Sequence, residues 1–214
     1  MHKKIAFLGL ATLALSVTNA PQARAALING VTVSTDMGES FSNSINKMVD
    51  GSGLSSLSLD ATHAPASALS NAWFSSGTTT GNITFNLNGL YSLAGFSLWN
   101  FNGFNQTGIK DVTITTSTNG TNFTTFAGTP TQFAIGANNA AESPEKFSFA
   151  PVSAAFVRFQ VLNNYGSNVT GLSEVQFNDT AATAVPEPFA VIGTLVGGTA
   201  ALRLRKRLQA KQKV

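Results

Sequence analysis

The amino-acid sequence predicts an all-β fold, a sandwich or jelly roll, for residues 26–184. Six segments alternate apolar and polar residues with the period of a half-buried strand. Turn-forming sequences such as Asn88-Gly89, Asn119-Gly120 and Asn164-Tyr165-Gly166 lie between them. No long helical period separates the segments, which argues against units in which helices connect parallel strands.

Each predicted element follows from its local pattern. A short helix is predicted over residues 42–49, where Ile45, Met48 and Val49 would face inward. Residues 181–184 are small and predict a linker after the domain. The predicted strands are residues 82–87, 93–99, 112–115, 146–149, 156–162 and 171–177.

The basic residues of the chain lie mostly at its ends. The 214 residues include 13 basic and 10 acidic side chains, but residues 26–184 hold four basic residues against nine acidic ones, a net charge of −5. Because no cluster of cations could neutralise phosphates, a nucleic-acid-binding surface is excluded for this body. There is no cysteine, so no disulfide supports the domain, and 16 phenylalanines can supply a core.

The N-terminus has the three parts of a secretory signal peptide. Lys3 and Lys4 provide the positive region, and residues 5–17 form an apolar stretch of suitable length. Ala23-Arg24-Ala25 provides small residues around a cleavage site, with Ala20 as an alternative. The sequence therefore predicts a signal peptide over residues 1–25 and export of the remainder.

The C-terminus combines a proline motif, an apolar run and a basic tail. Residues 189–202 are apolar, and as a helix they would span about 21 Å, less than the roughly 30 Å of a bilayer core. Leu204 extends the apolar face, and a basic cluster follows, which favours a membrane anchor with a cytoplasmic end. A transmembrane helix is therefore predicted over about residues 189–204. The basic cluster is Arg203, Arg205, Lys206 and Arg207.

This C-terminal arrangement resembles the PEP-CTERM sorting signal of Gram-negative bacteria over residues 185–214. The resemblance implies that an exosortase, a sorting protease of the membrane, recognises Pro186, Glu187 and Pro188. It also implies a transient anchor in the inner membrane, followed by release to the cell envelope or an extracellular matrix. The alternative is a proline-rich hinge before an ordinary tail anchor.

Eight segments together resemble a discoidin-like domain of the coagulation-factor C-type, galactose-binding-like superfamily. They occur in the expected order and imply a discoidin-like jelly-roll β-sandwich over residues 26–180. The segments are residues 48–51 (Met-Val-Asp-Gly), 72–75 (Ala-Trp-Phe-Ser), 83–87, 96–102 (Phe-Ser-Leu-Trp-Asn-Phe-Asn), 108–114, 117–123, 156–159 and 171–177.

A structural calcium ion is the expected cofactor. Calcium takes six to eight oxygen ligands, and Asp50-Gly51-Ser52-Gly53 offers a carboxylate, a hydroxyl and two glycines that allow close backbone approach. The resemblance implies that an acidic residue of the last strand, Glu174, completes the site. Asp50, Ser52 and Glu174 are thus the candidate ligands. The alternative is that Asp50-Gly51 ends the helix and Glu174 is a solvated strand residue.

The expected ligand is an extracellular polysaccharide held by loops at one end of the sandwich. Aromatic rings stack on sugar rings while polar side chains bind hydroxyls. The candidates are His63, Asn102 and Tyr165 in predicted loops, and Arg158, whose strand alternation decides whether it faces a ligand. Trp73 and Trp99 are expected in the core, as in similar modules.

Catalysis is not expected. One histidine remains after removal of the signal peptide, and no G-x-S-x-G elbow or phosphate-binding loop is present. The predicted function is therefore an exported, non-enzymatic envelope or matrix protein that binds polysaccharide. The alternative is a structural matrix protein of the same fold without a ligand site; exposure of His63, Asn102 and Tyr165 around one concavity would favour the first.

Overall fold

A computed structural model describes residues 25–40, 45–67 and 70–180. The predicted cleavage of the signal peptide, the sorting motif Pro186 to Pro188, the transmembrane segment and the basic cluster concern residues that lie outside or at the edge of these ranges. The described strands are β1 (Ala26–Leu27), β2 (Thr32–Thr35), β3 (Trp73–Phe74), β4 (Gly81–Asn100), β5 (Val112–Ser117), β6 (Thr124–Thr125), β7 (Glu145–Val161) and β8 (Gly171–Asp179).

The strands pair antiparallel in one sheet of order β1-β8-β4-β7-β5-β6, with β2 added beside β4 and β3 beside β8. The long strands β4 and β7 belong to two parts of this sheet. Residues 81–86 of β4 pair with β2 and with the end of β7, whereas residues 93–100 pair with β8. We call these parts the first and second half-sheets. They make the domain an all-β sandwich, as the alternation predicts.

The junction between the half-sheets lies where the sequence predicts a hairpin turn. Asn88 has φ of 59°, but the chain continues as a strand on both sides of it, and the register with β7 shifts between Asn86 and Tyr91. Asn88-Gly89 is therefore an irregularity within β4, and the prediction of a turn there was wrong. Asparagine tolerates the left-handed conformation that both a bulge and a turn can require, so local sequence does not distinguish them.

Phenylalanines fill the core between the half-sheets. The ring centroid of Phe85 lies 5.0 Å from that of Phe159 and 5.1 Å from that of Phe177, both in edge-to-face geometry. Phe96 of the second half of β4 lies 5.4 Å from Phe159. Aromatic pairs at these separations add to the free energy of burial. Trp73 and Trp99 are both fully buried, as predicted; Trp73 belongs to this core cluster, whereas Trp99 is buried on the other face of the second half-sheet.

The outer face of the second half-sheet is covered by residues 45–67, which we call the covering segment. The indole of Trp99 donates to the Ala61 carbonyl (3.0 Å), and the Ser97 hydroxyl donates to the Leu59 carbonyl (2.8 Å). The segment begins with a short 3-10 helix, Ile45–Met48, at the end of the span predicted as helical. The polar residues of the second half-sheet are therefore buried beneath this segment.

The outer face of the first half-sheet is polar. Along β4, Ile83, Phe85 and Leu87 are buried, whereas the alternating residues Asn82 and Thr84 are only partly covered. Strand alternation places the side chains of these two polar residues on the face opposite the core. No helix within residues 25–40, 45–67 and 70–180 is long and apolar enough to cross a membrane.

Candidate functional site

His63, a predicted ligand-binding residue, is fully buried. Its ring nitrogens lie 2.5 Å from the carbonyl oxygen of Ala64 and 3.0 Å from that of Ser52. Burial lowers the pKa of His63, although these carbonyl partners act in the opposite direction. In this position the ring connects two parts of the covering segment and offers no surface to a sugar. Neither nitrogen is available as a base for a serine hydroxyl.

Asn102, the second candidate, is also fully buried. Its side-chain amide donates to the carbonyls of Ala64 (3.1 Å) and Ala140 (2.8 Å), and its amide oxygen accepts from the Ser173 hydroxyl (3.1 Å). The residue therefore joins the covering segment, the segment before β7 and the strand β8. Its hydrogen-bonding capacity is used within the protein.

Tyr165 is half-buried at the loop end of the sandwich, and its hydroxyl donates to the Phe133 carbonyl (2.5 Å). Burial raises the pKa of Tyr165, and the charges of Glu145 and Asp111 raise it further. Phe104, at the same end of the strands, has 78% of its surface exposed. His63, Asn102 and Tyr165 thus do not line one concavity.

Arg158, the fourth candidate, faces outward from β7 on the first half-sheet. Its Nε donates to the Thr84 hydroxyl on the neighbouring strand (3.1 Å), and its guanidinium carbon lies 3.7 Å from the centroid of the Phe123 ring. A guanidinium stacked on an aromatic face is attracted by the ring electrons and held in plane. Within the described part of the chain, no protein group accepts a hydrogen bond from its terminal nitrogens.

Arg158 lies in a pocket with a volume of about 330 Å³ on the sheet face, which we call the Arg158 pocket. Alternation in adjacent strands aligns its members, because Thr84 is the direct partner of Arg158 and Ser34 the direct partner of Thr84. The lining residues are Ser34, Thr35, Asp36, Asn82, Thr84 and Arg158.

Asp36, just after β2, carries the negative charge of this pocket. Its carboxylate accepts from the backbone N–H of Asn82 (2.6 Å) and from the side-chain amide of the same residue (2.7 Å). Slight burial raises the pKa of Asp36, but the donors of Asn82 and the charge of Arg158 outweigh this, so that the pKa lies below its usual value. The pocket therefore holds one fixed cation and one ionised carboxylate at neutral pH.

Sequence reasoning identified Arg158 but missed Asp36, Asn82, Thr84 and Phe123. The alternation of residues 82–87 was the available signal, because it places Asn82 and Thr84 on one polar face. Which strand lies beside that face depends on pairing between distant parts of the chain. The sequence pattern alone does not give that pairing.

The three predicted calcium ligands lie close to one another. Glu174 is fully buried, and both of its oxygens lie 3.2 Å from the backbone nitrogen of Gly51. Asp50 accepts from the Ser52 backbone (2.8 Å) in the same turn. Burial raises the pKa of Glu174 to about 9, and the charge of Asp50 contributes to the rise. Glu174 is therefore not a solvated strand residue.

Among the residues that the structure describes, no three histidine, cysteine, aspartate or glutamate side chains form a group that could hold a metal. A calcium site here would need backbone and hydroxyl oxygens beside the two carboxylates, which is the usual composition of calcium sites. Gly51 and Gly53, with φ of 80° and 86°, take the left-handed conformation that favours glycine in this turn.

The fold and the Arg158 pocket define a class of protein: an all-β sandwich with a shallow polar concavity on one sheet face. The chain belongs to the F5/8 type C domain family, which matches residues 31–175. This confirms the predicted discoidin-like fold. No curated protein is similar enough in sequence to count as a match.

The solved structures that share the fold include carbohydrate-binding modules of Clostridium perfringens. CBM32-1 of a family 31 glycoside hydrolase has a TM-score of 0.53 and 15% identity, over 72% of this chain and 96% of that one. The family 32 module of NanJ, solved with galactose, has a TM-score of 0.50 and 14% identity, over 72% of this chain and 98% of that one. The module CpGH89CBM32-5, solved with GalNAc-β-1,3-galactose, has a TM-score of 0.50 and 15% identity, over 72% of this chain and 99% of that one.

Proposed function

We propose that this chain is an exported, non-enzymatic protein that binds polysaccharide through the Arg158 pocket. The observation that carries the proposal is the fixed guanidinium group, which Phe123 and Thr84 hold while its terminal N–H groups have no acceptor among the described residues. Carbohydrates are recognised by a small number of placed hydrogen bonds from such groups. The galactose bound by the similar NanJ module supports this class of ligand.

This proposal moves the site from the loop end to the sheet face. His63 and Asn102 are buried, and the Tyr165 hydroxyl is engaged by a backbone carbonyl, whereas Arg158 is partly exposed and has unused donors. The first half-sheet is also wide enough for a polymer, because β2, β4, β7 and β5 lie side by side there. The alternative function is a structural matrix protein of the same fold without a ligand site, and the separation of His63, Asn102 and Tyr165 favours this alternative.

Arg158→Ala is expected to abolish measurable binding to bacterial exopolysaccharides in a panel tested with the purified full-length protein. Loss of hydrogen bonds from a charged donor costs about 2–3 kcal/mol, roughly a 30- to 150-fold rise in Kd. Isothermal titration calorimetry or affinity electrophoresis provides the measurement. Lys146→Ala is the matched control, since Lys146 is an exposed cation that pairs with Asp60 and does not line the pocket.

If the Arg158→Ala protein bound polysaccharide as tightly as the wild type does, the pocket would be excluded as the binding site. If the folded wild type bound no member of the panel, the structural alternative would replace the proposed function.

The proposal includes sorting by an exosortase. Its support is the order of the C-terminal features: Pro186-Glu187-Pro188, an apolar run and the basic cluster Arg203, Arg205, Lys206 and Arg207. The chain would be held in the inner membrane before processing and then reach the envelope, surface or extracellular matrix. An extracellular polysaccharide would be a suitable ligand in that location.

Replacement of both Pro186 and Pro188 by alanine is expected to leave unprocessed, membrane-associated protein in the native host. The substitutions remove the rigid backbone of the motif but keep the apolar run and the basic tail. Cell fractionation and immunoblotting give the measurement, with Pro151→Ala inside the domain as the control. Normal processing of the double variant would contradict sorting by this motif.

The proposed cofactor is a structural calcium ion held by Asp50, Ser52 and Glu174. The supporting observation is a fully buried carboxylate that accepts a long bond from the Gly51 backbone and stands near a second carboxylate. Two neighbouring carboxylates with one of them desolvated are unfavourable unless a cation or a proton joins them. The ion would tie the turn of residues 50–53 to β8 and neutralise both acids.

A further inference from the structure

Ligand selection in the Arg158 pocket depends on the neighbouring negative charge. Asp36 and Arg158 both line the pocket, and they lie close enough for the Arg158 charge to lower the pKa of Asp36. The pocket is therefore close to neutral as a whole. The other described residues that line the pocket are all uncharged.

The polar groups of the pocket offer both donors and acceptors. Arg158 supplies N–H donors, and each Asp36 oxygen accepts one bond from Asn82, which leaves acceptor capacity on both. Since the Asn82 side-chain amide nitrogen donates to Asp36, its amide oxygen remains an acceptor on the same face. The Ser34 hydroxyl can serve as either. A hydroxyl group, which also donates and accepts, satisfies both kinds of partner.

An anionic group cannot satisfy both. A carboxylate or sulfate would be attracted by Arg158 and repelled by Asp36, and it has no hydrogen to donate to the Asp36 oxygens. Bonds of Asp36 to two nitrogens of Asn82 hold its carboxylate in place, so it cannot easily turn away. Like charges held close together in an interface act against the wrong partner.

We infer that Asp36 is a specificity-determining residue, and that the Arg158 pocket takes neutral sugars with adjacent hydroxyl groups and rejects uronate-containing or sulfated polymers. This inference rests on the proposed function, because it concerns the same pocket. It predicts that the acid, absent from the sequence-based candidates, controls the charge class of the ligand while Arg158 provides most of the affinity.

The test compares galactan, mannan and β-1,3-glucan, each beside the same polymer with its primary hydroxyls oxidised to carboxylates. We expect wild-type full-length protein to bind at least one neutral polymer and to bind its oxidised form about tenfold more weakly or worse. Asp36→Asn should improve binding to the oxidised form about tenfold, and change binding to the neutral form much less. Affinity electrophoresis at fixed salt provides the measurement.

Asp111→Asn is the matched control. Asp111 also accepts side-chain amide bonds, from Gln132 and Asn163, and its replacement removes one negative charge outside the pocket. Its effect on oxidised polymers reports the contribution of overall charge. Circular dichroism and the melting temperature of each variant establish that the fold is kept.

The outcomes separate the inference from the function on which it rests. Equal wild-type binding of neutral and oxidised polymers would overturn the role of Asp36 and leave polysaccharide binding in place. The same would follow if Asp36→Asn changed binding to oxidised polymers no more than Asp111→Asn does. Absence of binding to every polymer, oxidised or neutral, by folded wild-type protein would overturn the proposed function itself.

Discussion

Glu174→Gln is expected to stabilise the protein in a chelator and to destabilise it, relative to the wild type, in calcium. Burial raises the pKa of Glu174 in the folded chain to about 9, above the ordinary value of 4.5. The unfolded chain therefore releases this proton first. The contribution of the protonated carboxyl to stability is present below pH 4.5 and is lost progressively as the pH rises towards 9.

The rise in the pKa of Glu174 also gives the expected change in the free energy of unfolding. Each pH unit above 4.5 costs about 1.4 kcal/mol, so at pH 7.5 the metal-free wild type loses about 4 kcal/mol that the glutamine variant keeps. Calcium is expected to reverse the order, because at the proposed site it would bind the ionised carboxylate of the wild type and stabilise the folded state by mass action. Thermal unfolding of both proteins at pH 5 and 7.5, each with calcium and with chelator, measures the stability under all four conditions.

Glu142→Gln is the matched control for this prediction. Burial raises the pKa of Glu142 to about 7, and its carboxylate accepts from the Ala137 backbone rather than from the turn of residues 50–53. Its replacement should stabilise the protein at pH 7.5 equally with and without calcium. If calcium left the melting temperature of the metal-free wild type unchanged, Asp50, Ser52 and Glu174 would not form a calcium site.

Trp99→Ala is expected to lower the free energy of unfolding by about 3–5 kcal/mol. The indole is fully buried between the second half-sheet and the covering segment, and its N–H donates to the Ala61 carbonyl. Truncation leaves a large cavity and an unpaired carbonyl. Urea unfolding followed by circular dichroism measures the change, and limited proteolysis should show earlier cleavage within residues 45–67.

Trp99→Phe separates the contribution of the buried ring from that of the hydrogen bond to Ala61. It keeps most of the buried surface but loses the hydrogen bond to Ala61, so a cost of about 1–2 kcal/mol is expected. An alanine variant as stable as the phenylalanine variant would mean that packing of the indole beneath the covering segment contributes little.

Local alternation predicted the strands well and their continuity poorly. Residues 112–115 and 171–177 lie within β5 and β8, because each segment has one side towards the core. The segments 82–87 and 93–99 proved to be one strand, β4. The sequence Asn88-Gly89 indicates only which backbone angles the chain can adopt at that point. Whether the chain reverses at that point is decided by the pairing of β7 along both segments.

Burial of the polar candidates could not be predicted from the sequence. His63 and Asn102 are polar residues near predicted turns, which is the usual setting for a binding site. Their burial depends on how the segment 45–67 lies over the sheet and supplies carbonyl partners. Arg158 was open to prediction because its neighbours Val157 and Phe159 are apolar, which assigns Arg158 to the opposite face.

The continuity of β4 and β7 has a consequence for how the domain comes apart. Both strands run from one half-sheet into the other, so the two layers share their central hydrogen-bond ladder. Neither layer can be released while the other stays intact without breaking that ladder across the bend. Equilibrium unfolding should therefore be a single cooperative transition. Amides on either side of Asn88 should exchange with solvent only through the same global opening.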